Sequence, residues 1–281
     1  MKKLAVFPNQ VSTAGRDVYG DFARSTGWQL EENSLDADAA LIWSVLWNGR
    51  MANNQQVHEH YRGQKKPVII IETGVLKRNE TYKVCVNETD RYGDYWDITK
   101  DDTDLDRAYR MLGHIGQARG GDKILICSQN PFSRNWKKYR NEDSNETIED
   151  WVRSKVAWTK SWTDRPIEIR PHPRYSLRLP DLQDLIVNPQ YTIKDDTDLV
   201  KVFEDCFLVI NYNSYPGIQA RLHGLHTSLH HSSLAALNKT DDIHDDIHDE
   251  WLDFIARTEF THDEIRSGFA WDKIRYAVDL P

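Results

Sequence analysis

The sequence has little that would cross-link it, anchor it in a membrane or draw it to a polyanion. Only three cysteines occur, Cys85, Cys127 and Cys206, far apart and each inside a short apolar run. That excludes a disulfide framework and reads as small core residues. Long apolar runs are missing. The longest, Val68 to Ile71 and Lys123 to Cys127, have the length of strands, far short of the ~20 residues of a membrane helix. After Met1-Lys2-Lys3 only Leu4 to Phe7 precedes Pro8, against the roughly 7–15 apolar residues of a signal-peptide core, so a cytoplasmic protein with no membrane partner is expected. Net positive charge is absent too: the formal charge is −8, which argues against affinity won mainly by neutralising phosphates.

A chain of 281 residues, 39% hydrophobic and 11% aromatic, is long enough for two domains of roughly 120–150 residues, each with its own core. Both halves repeat a short apolar strand, a polar loop and a helix. In the first half the strands are Lys3–Phe7, Ala39–Val45, Val68–Ile71 and Tyr82–Val86, with helices ending near Gly27 and covering about Asn53–Arg62. The Gly pair in Ala118-Arg-Gly-Gly-Asp122 reads as a linker. Beyond it, strands are expected at Lys123–Cys127, Pro166–Arg170, Phe207–Asn211 and Thr227–His230, and helices near Thr147–Trp162, Thr197–Asp205 and Pro216–His223. Strands that alternate with helices imply right-handed crossovers and parallel sheets. The expected fold class is therefore α/β, with two Rossmann-like domains facing each other across a cleft. Their bounds are 1–119 and 120–260, and a helical segment, 261–281, packs back on the first. In that segment Thr261 and Glu264 fit a capping box and Gly268 a helix end.

In open parallel sheets ligands bind outside the carboxyl ends of the strands, where loops and helix N-termini present donors. Two loops of the second half qualify. Arg170-Pro171-His172-Pro173-Arg174 presents two guanidinium groups and an imidazole on a turn stiffened by two prolines, as a diphosphate requires; the plainer reading is an arginine paired with a carboxylate and a solvated histidine. Asn213-Ser214-Tyr215-Pro216-Gly217 combines a small hydroxyl, a proline near the first helical position and a glycine, which leaves backbone N–H groups open to an anion; alone it is a good helix N-cap. Ser128 and Gln129 open the loop after Lys123–Cys127 and join the candidate donor-contacting set.

The succession Arg170-Pro-His-Pro-Arg174, then about 40 residues later Asn213-Ser-Tyr-Pro-Gly-Ile-Gln-Ala-Arg-Leu-His-Gly224, resembles the donor half of capsule polysaccharide and sialyl-type glycosyltransferases of the GT-B architecture. Those carry a His-Pro motif and a Ser-Ser-x-Gly-x-Glu-Ala-x-x-x-Gly motif. The resemblance covers roughly residues 120–235 and implies that His172 and Ser214 bind nucleotide phosphates, with Gly217 as a close-approach glycine. Tyr215 and Gln219 depart from the pattern, which leaves the sugar nucleotide open. A UDP-sugar is the expected co-substrate; no cofactor and no metal are expected. The compact layout also looks like phage glycosyltransferases that decorate hydroxymethylated bases in DNA.

On that implication residues 1–119 hold the acceptor. Inverting transfer needs a carboxylate to take the acceptor proton, and Glu72 and Asp17 are the candidates because each follows a strand; either is also readable as a helix-start or solvated acid. A basic, aromatic stretch, Arg134 to Arg140, offers Arg134, Trp136 and Lys137 to a DNA acceptor, and Trp47 is placed to stack on a sugar or base. Residues 1–118 carry 15 Lys and Arg against 17 Asp and Glu and the remainder 21 against 27, so the first half approaches a polyanion with little repulsion. A saccharide or glycan acceptor, or a catalytically silent nucleotide- or sugar-binding module, are the alternatives. Asp241 to Glu250, with His244 and His248 four apart, is a solvated charged segment rather than a metal site, and Trp151, Trp158 and Trp162 are expected in the core.

Overall fold

The computed structural model describes residues 1–90, 104–112, 121–140, 146–187, 197–236, 243–244 and 249–279. Most of the expected linker (118–120) and most of the acidic segment, His248 included, lie outside the described residues. The chain forms two compact units: Met1–Gly113 with Leu252–Pro281, and His114–Trp251. No helix among the described residues is long and apolar enough to cross a membrane.

The first unit is built on a six-stranded sheet. Its strands are β1 (Lys3–Val6), β2 (Gln29–Glu32), β3 (Ala39–Trp43), β4 (Val68–Thr73), β5 (Thr81–Val86) and β11 (Glu259–Thr261), in the order β11-β5-β4-β3-β1-β2. β1, β2, β3 and β4 run parallel. The central strands are apolar throughout because helices cover both faces; Leu4, Leu41, Ile42 and Ile69 to Ile71 are fully buried. Sequence pattern missed β2, a polar edge strand whose side chains stay in water. It also misassigned β5, which runs antiparallel to β4, because the short connection from Thr73 to Thr81 has no room for a crossover. β11 pairs antiparallel with β5, so it runs in the direction of β4 again, and it brings residues 259–261 into this sheet. Helices α1 (Arg16–Ser25), α2 (Asn54–Gly63) and α3 (Leu105–Leu112) belong to the same unit.

The second unit holds a five-stranded sheet of β6 (Lys123–Cys127), β7 (Ile167–Arg170), β8 (Cys206–Asn211), β9 (His226–Leu229) and β10 (Ile243–His244), in the order β10-β9-β8-β6-β7. All but β10 are parallel. The stretch expected as a basic loop folds as helix α4 (Arg134–Tyr139), because Ser133 caps it and accepts from the Trp136 N–H. Trp136 is 1% exposed and packs against Tyr212 at 4.9 Å, so it serves the core and offers no ring to an acceptor. Helix α5 (Ile148–Lys160) starts at a Thr147/Asp150 capping box. Trp151 on it is buried, whereas Trp158, in the last turn, and Trp162, just beyond the helix, are exposed and stand against each other at 5.5 Å, contrary to the expected core placement. Helices α6 (Thr197–Phe203) and α7 (Tyr215–Leu222) flank β8 in sequence.

Beyond α8 (Asp249–Ala256), the first unit is completed by α9 (His262–Arg266) and α10 (Phe269–Asp279). The Thr261/Glu264 capping box is present, and Gly268 takes a φ of +88° just past the end of α9. Glu264 also receives the Arg107 guanidinium, Nε to Oε1 at 2.7 Å and Nη2 to Oε2 at 2.8 Å, which ties α9 to α3. All three cysteines are buried thiols.

Candidate functional site

Four parallel strands of the second unit end along one edge. Register pairs Cys127 with both Arg170 and Asn211, and Asn211 with Leu229. The residues that follow, Ser128, His172, Asn213 to Ser214 and His230, are therefore neighbours although they lie up to a hundred positions apart. Hydrogen bonds join them. Ser128 donates its N–H to the Arg170 carbonyl at 3.0 Å, and the Ser128 Oγ accepts the His172 N–H at 2.8 Å. Asn211 donates from Nδ2 to the Cys127 carbonyl at 3.1 Å and to Ser214 Oγ at 2.9 Å, while its Oδ1 accepts the Ser214 N–H at 2.9 Å.

Two histidines of this edge, His172 and His230, are held toward the neutral form. His172 accepts the Arg174 N–H on Nδ1 at 3.1 Å, which leaves its proton on Nε2 as a donor. Burial and the nearby Arg174 charge push its pKa down to about 4. His230 stacks on Tyr212 at 4.2 Å and shares Nδ1 with the Ser232 hydroxyl at 2.7 Å; burial, His231 and Lys155 push it down to about 3. Arg170 is 8% exposed at the strand end, whereas Arg174 is exposed. Asn213 donates to Ser232 Oγ at 2.9 Å. Gln129, buried, donates to Ser133 Oγ at 3.1 Å and so anchors the cap of α4.

The proposed phosphate-binding helix start has a specific reason for its glycine. A Cβ on Gly217 would lie 2.6 Å from Leu229 Cδ2 and 3.0 Å from Asn211 Oδ1, so the glycine lets α7 lie close on β8 and β9. Ser214 is the N-cap of α7, and its hydroxyl accepts from Asn211 rather than from the helix. Sequence reasoning missed Asn211 and Ser232, whereas His230 belongs to a group, His223, His226, His230 and His231, that the sequence sets near these loops with packing as the default reading. The available signal was a polar residue, Asn211, closing an otherwise apolar strand.

In the first unit Glu72 lies within β4, paired with Lys83, rather than after the strand as expected, because the strand continues to Thr73; its Oε1 accepts from Ser44 Oγ at 3.0 Å and the Val45 N–H at 2.9 Å. Asp17 is exposed in the first turn of α1. Trp47 is half-buried, 6.0 Å from the His58 ring, and on α4 Arg134 is half-buried and Lys137 exposed. Among the described residues no group of three or more His, Cys, Asp or Glu is placed to hold a metal.

The sequence matches no family model and no curated protein. Solved structures do match in fold. KpsC of Thermosulfurimonas dismutans, beta Kdo 2,7 transferase, aligns at TM-score 0.52 and 12% identity, covering 96% of this chain and 100% of that one. The beta Kdo 2,4 transferase of the same organism's KpsC aligns at TM-score 0.51 and 12% identity, covering 92% of each chain. At this identity the likeness is one of fold.

Proposed function

We propose that the chain is a glycosyltransferase that moves a sugar from a nucleotide donor to a hydroxyl acceptor, with the donor phosphates held at Ser128, Arg170, His172 and Ser214. The observation that carries this reading is the hydrogen-bonded joining of Ser128 to the His172 loop and of Asn211 to Ser214 along one carboxyl edge. That edge offers a neutral imidazole donor, a guanidinium and a helix start, the set an anionic diphosphate takes. The fold likeness to two Kdo transferases supports it as well. In the reaction the acceptor oxygen bonds the anomeric carbon, the bond from that carbon to the phosphate oxygen breaks, and its electron pair leaves with the nucleotide.

A saccharide acceptor is the reading the two transferases favour. The second reading, hydroxymethylated DNA, rests on the basic residues of α4, Arg134, Lys137 and Lys138. The test is nucleotide release from a panel of UDP- and other nucleotide sugars, with oligosaccharides or hydroxymethylated duplex as acceptors. UDP-sugar turnover is expected, and His172→Ala or Arg170→Ala weakens UDP binding about 10- to 100-fold, the worth of a charge-assisted bond of about 1.5–3 kcal/mol. Transfer to DNA that falls steeply with salt would select the second reading. Tight UDP binding without release from any donor would leave a binding module instead.

A further inference from the structure

Five elements, α1, β3, β4, β5 and β11, meet at the carboxyl edge of the six-stranded sheet. Helix α1 starts against the end of β3, where a Cβ on Gly15 would fall 2.3 Å from the Trp43 ring. Asp17 and Asp21, one turn apart, share a face of α1. Tyr82, opposite Thr73 at the end of β4, lies 6.5 Å from the Trp43 ring. β11 pairs antiparallel with β5, Phe260 opposite Tyr82, and so delivers the next residue after its end, His262, to the same edge. There His262 Nε2 meets Asp21 Oδ2 at 2.7 Å, and its ring stands edge-on to Tyr82 at 6.2 Å.

This geometry has the form of a histidine base with its orienting acid. A bond from Nε2–H to a carboxylate fixes the tautomer whose Nδ1 carries a lone pair. The His262 side chain is 30% exposed, and no described residue partners its Nδ1. Asp21 also holds Arg24 and Arg266. Burial alone would raise its carboxyl, but the hydrogen bonds from Arg24, His262 and Arg266 outweigh burial and hold it below the usual carboxylate range. It therefore stays anionic and keeps the ring in place. Tyr82 is pushed up by burial and by the Asp17 charge, so its hydroxyl keeps its proton. Glu72, by contrast, has one oxygen committed to Ser44 and Val45.

We propose that His262, oriented by Asp21, is the base that takes the proton from a saccharide hydroxyl bound at this edge, beside Tyr82 and Asp17. The assignment rests on the glycosyl-transfer reading above. As the acceptor oxygen bonds the anomeric carbon, its proton passes to His262 Nδ1, and the electron pair of the broken bond leaves on the nucleotide phosphate. The imidazolium, held by Asp21, then returns its proton to water. Charge does not select the acceptor at this edge, since Asp263 pairs with Arg266 and Arg16 and Arg24 are exposed beside Asp17; the saccharide is carried over from the glycosyl-transfer reading.

The experiment compares wild type with His262→Ala, His262→Gln and Asp21→Asn on the UDP-sugar and oligosaccharide panel. His262→Ala should lower kcat about 100-fold or more, with donor KM and UDP affinity within about twofold, since a positioned base contributes roughly 10²–10⁴. Added imidazole should restore part of that rate, which a tether between α1 and α9 would not allow. His262→Gln keeps the bond to Asp21 and the fold and should be as slow, so it carries the test if the alanine variant unfolds. A His262→Gln enzyme with wild-type kcat would overturn the base and leave the transferase reading standing. Wild type that binds UDP but turns over no donor would overturn both.

Discussion

Asn211 is the residue on which the second unit's edge depends most. It is 1% exposed, and its side-chain amide makes three bonds: to the Cys127 carbonyl, to Ser214 Oγ and from the Ser214 N–H. Replacing it with alanine removes all three. Each is worth about 0.5–1.5 kcal/mol net, and groups left buried without a partner add to the loss, so Asn211→Ala should cost about 2–4 kcal/mol. Asn211→Asp keeps the shape and the acceptor but loses both donor bonds, and sets a carboxylate against the Cys127 carbonyl. At pH 7 it should destabilise at least as much as alanine. Urea unfolding at pH 7 reads the cost directly, and in a unit of this size each kcal/mol lowers Tm by about 2–4 °C. UDP affinity should fall in parallel, because Ser214 loses the bonds that aim it. An Asn211→Ala variant within about 0.5 kcal/mol of wild type would refute the role given to this amide.

Two further outcomes follow from the same edge. His172 is held neutral with its pKa pushed from 6.5 to about 4, so the unfolded chain binds more protons than the native one between those values, and His172 stabilises less as pH falls through that window. The stability of wild type relative to His172→Gln, from thermal unfolding without ligand, should therefore drop as pH goes from about 6.5 to about 4; a difference that stays flat would remove the burial argument. Gly217→Ala should cost about 1–3 kcal/mol, because the new methyl overlaps buried Leu229 and the fixed Asn211 amide, and it should weaken UDP by shifting the α7 start. Equal Tm and equal UDP affinity would sink that account.

Much of the scaffold was legible because parallel strands buried on both faces write themselves as apolar runs. Lys123–Cys127 is predicted and found with the same ends, and Val68, Cys206 and Phe207 open or extend their strands within a residue or two. The loops at Arg170 and Ser214 stood out for the same reason, each a break of proline and polar residues after such a run. What failed was whatever depends on the partner rather than the pattern. β2 is polar because it is an edge, and the direction of β5 is set by the length of the turn before it. Trp136 read as a surface ring because basic residues surround it, yet a Ser133 cap turns that stretch into a helix and rotates the indole inward. His262 carried no local signal: it follows a three-residue strand, and only the pairing of β11 with β5 shows which edge it reaches.

The two units use one rule with different consequences. In the second, four adjacent parallel strands end together, so every loop along the edge starts from a fixed backbone, and the polar groups there are locked to each other by short bonds. On the donor-binding proposal, such an edge is preorganised for a diphosphate, since its polar groups are already fixed. In the first, β5 runs antiparallel to both β4 and β11, so the carboxyl edge of β4 receives the start of β5 and the end of β11. Residues from position 17 to position 262 thereby meet, and a carboxylate from a helix and an imidazole from the C-terminal segment form a pair that neither contributes alone. Because β5 reverses the chain direction, β11 runs the same way as β4, and the residue that follows it, His262, arrives at the edge where α1 begins.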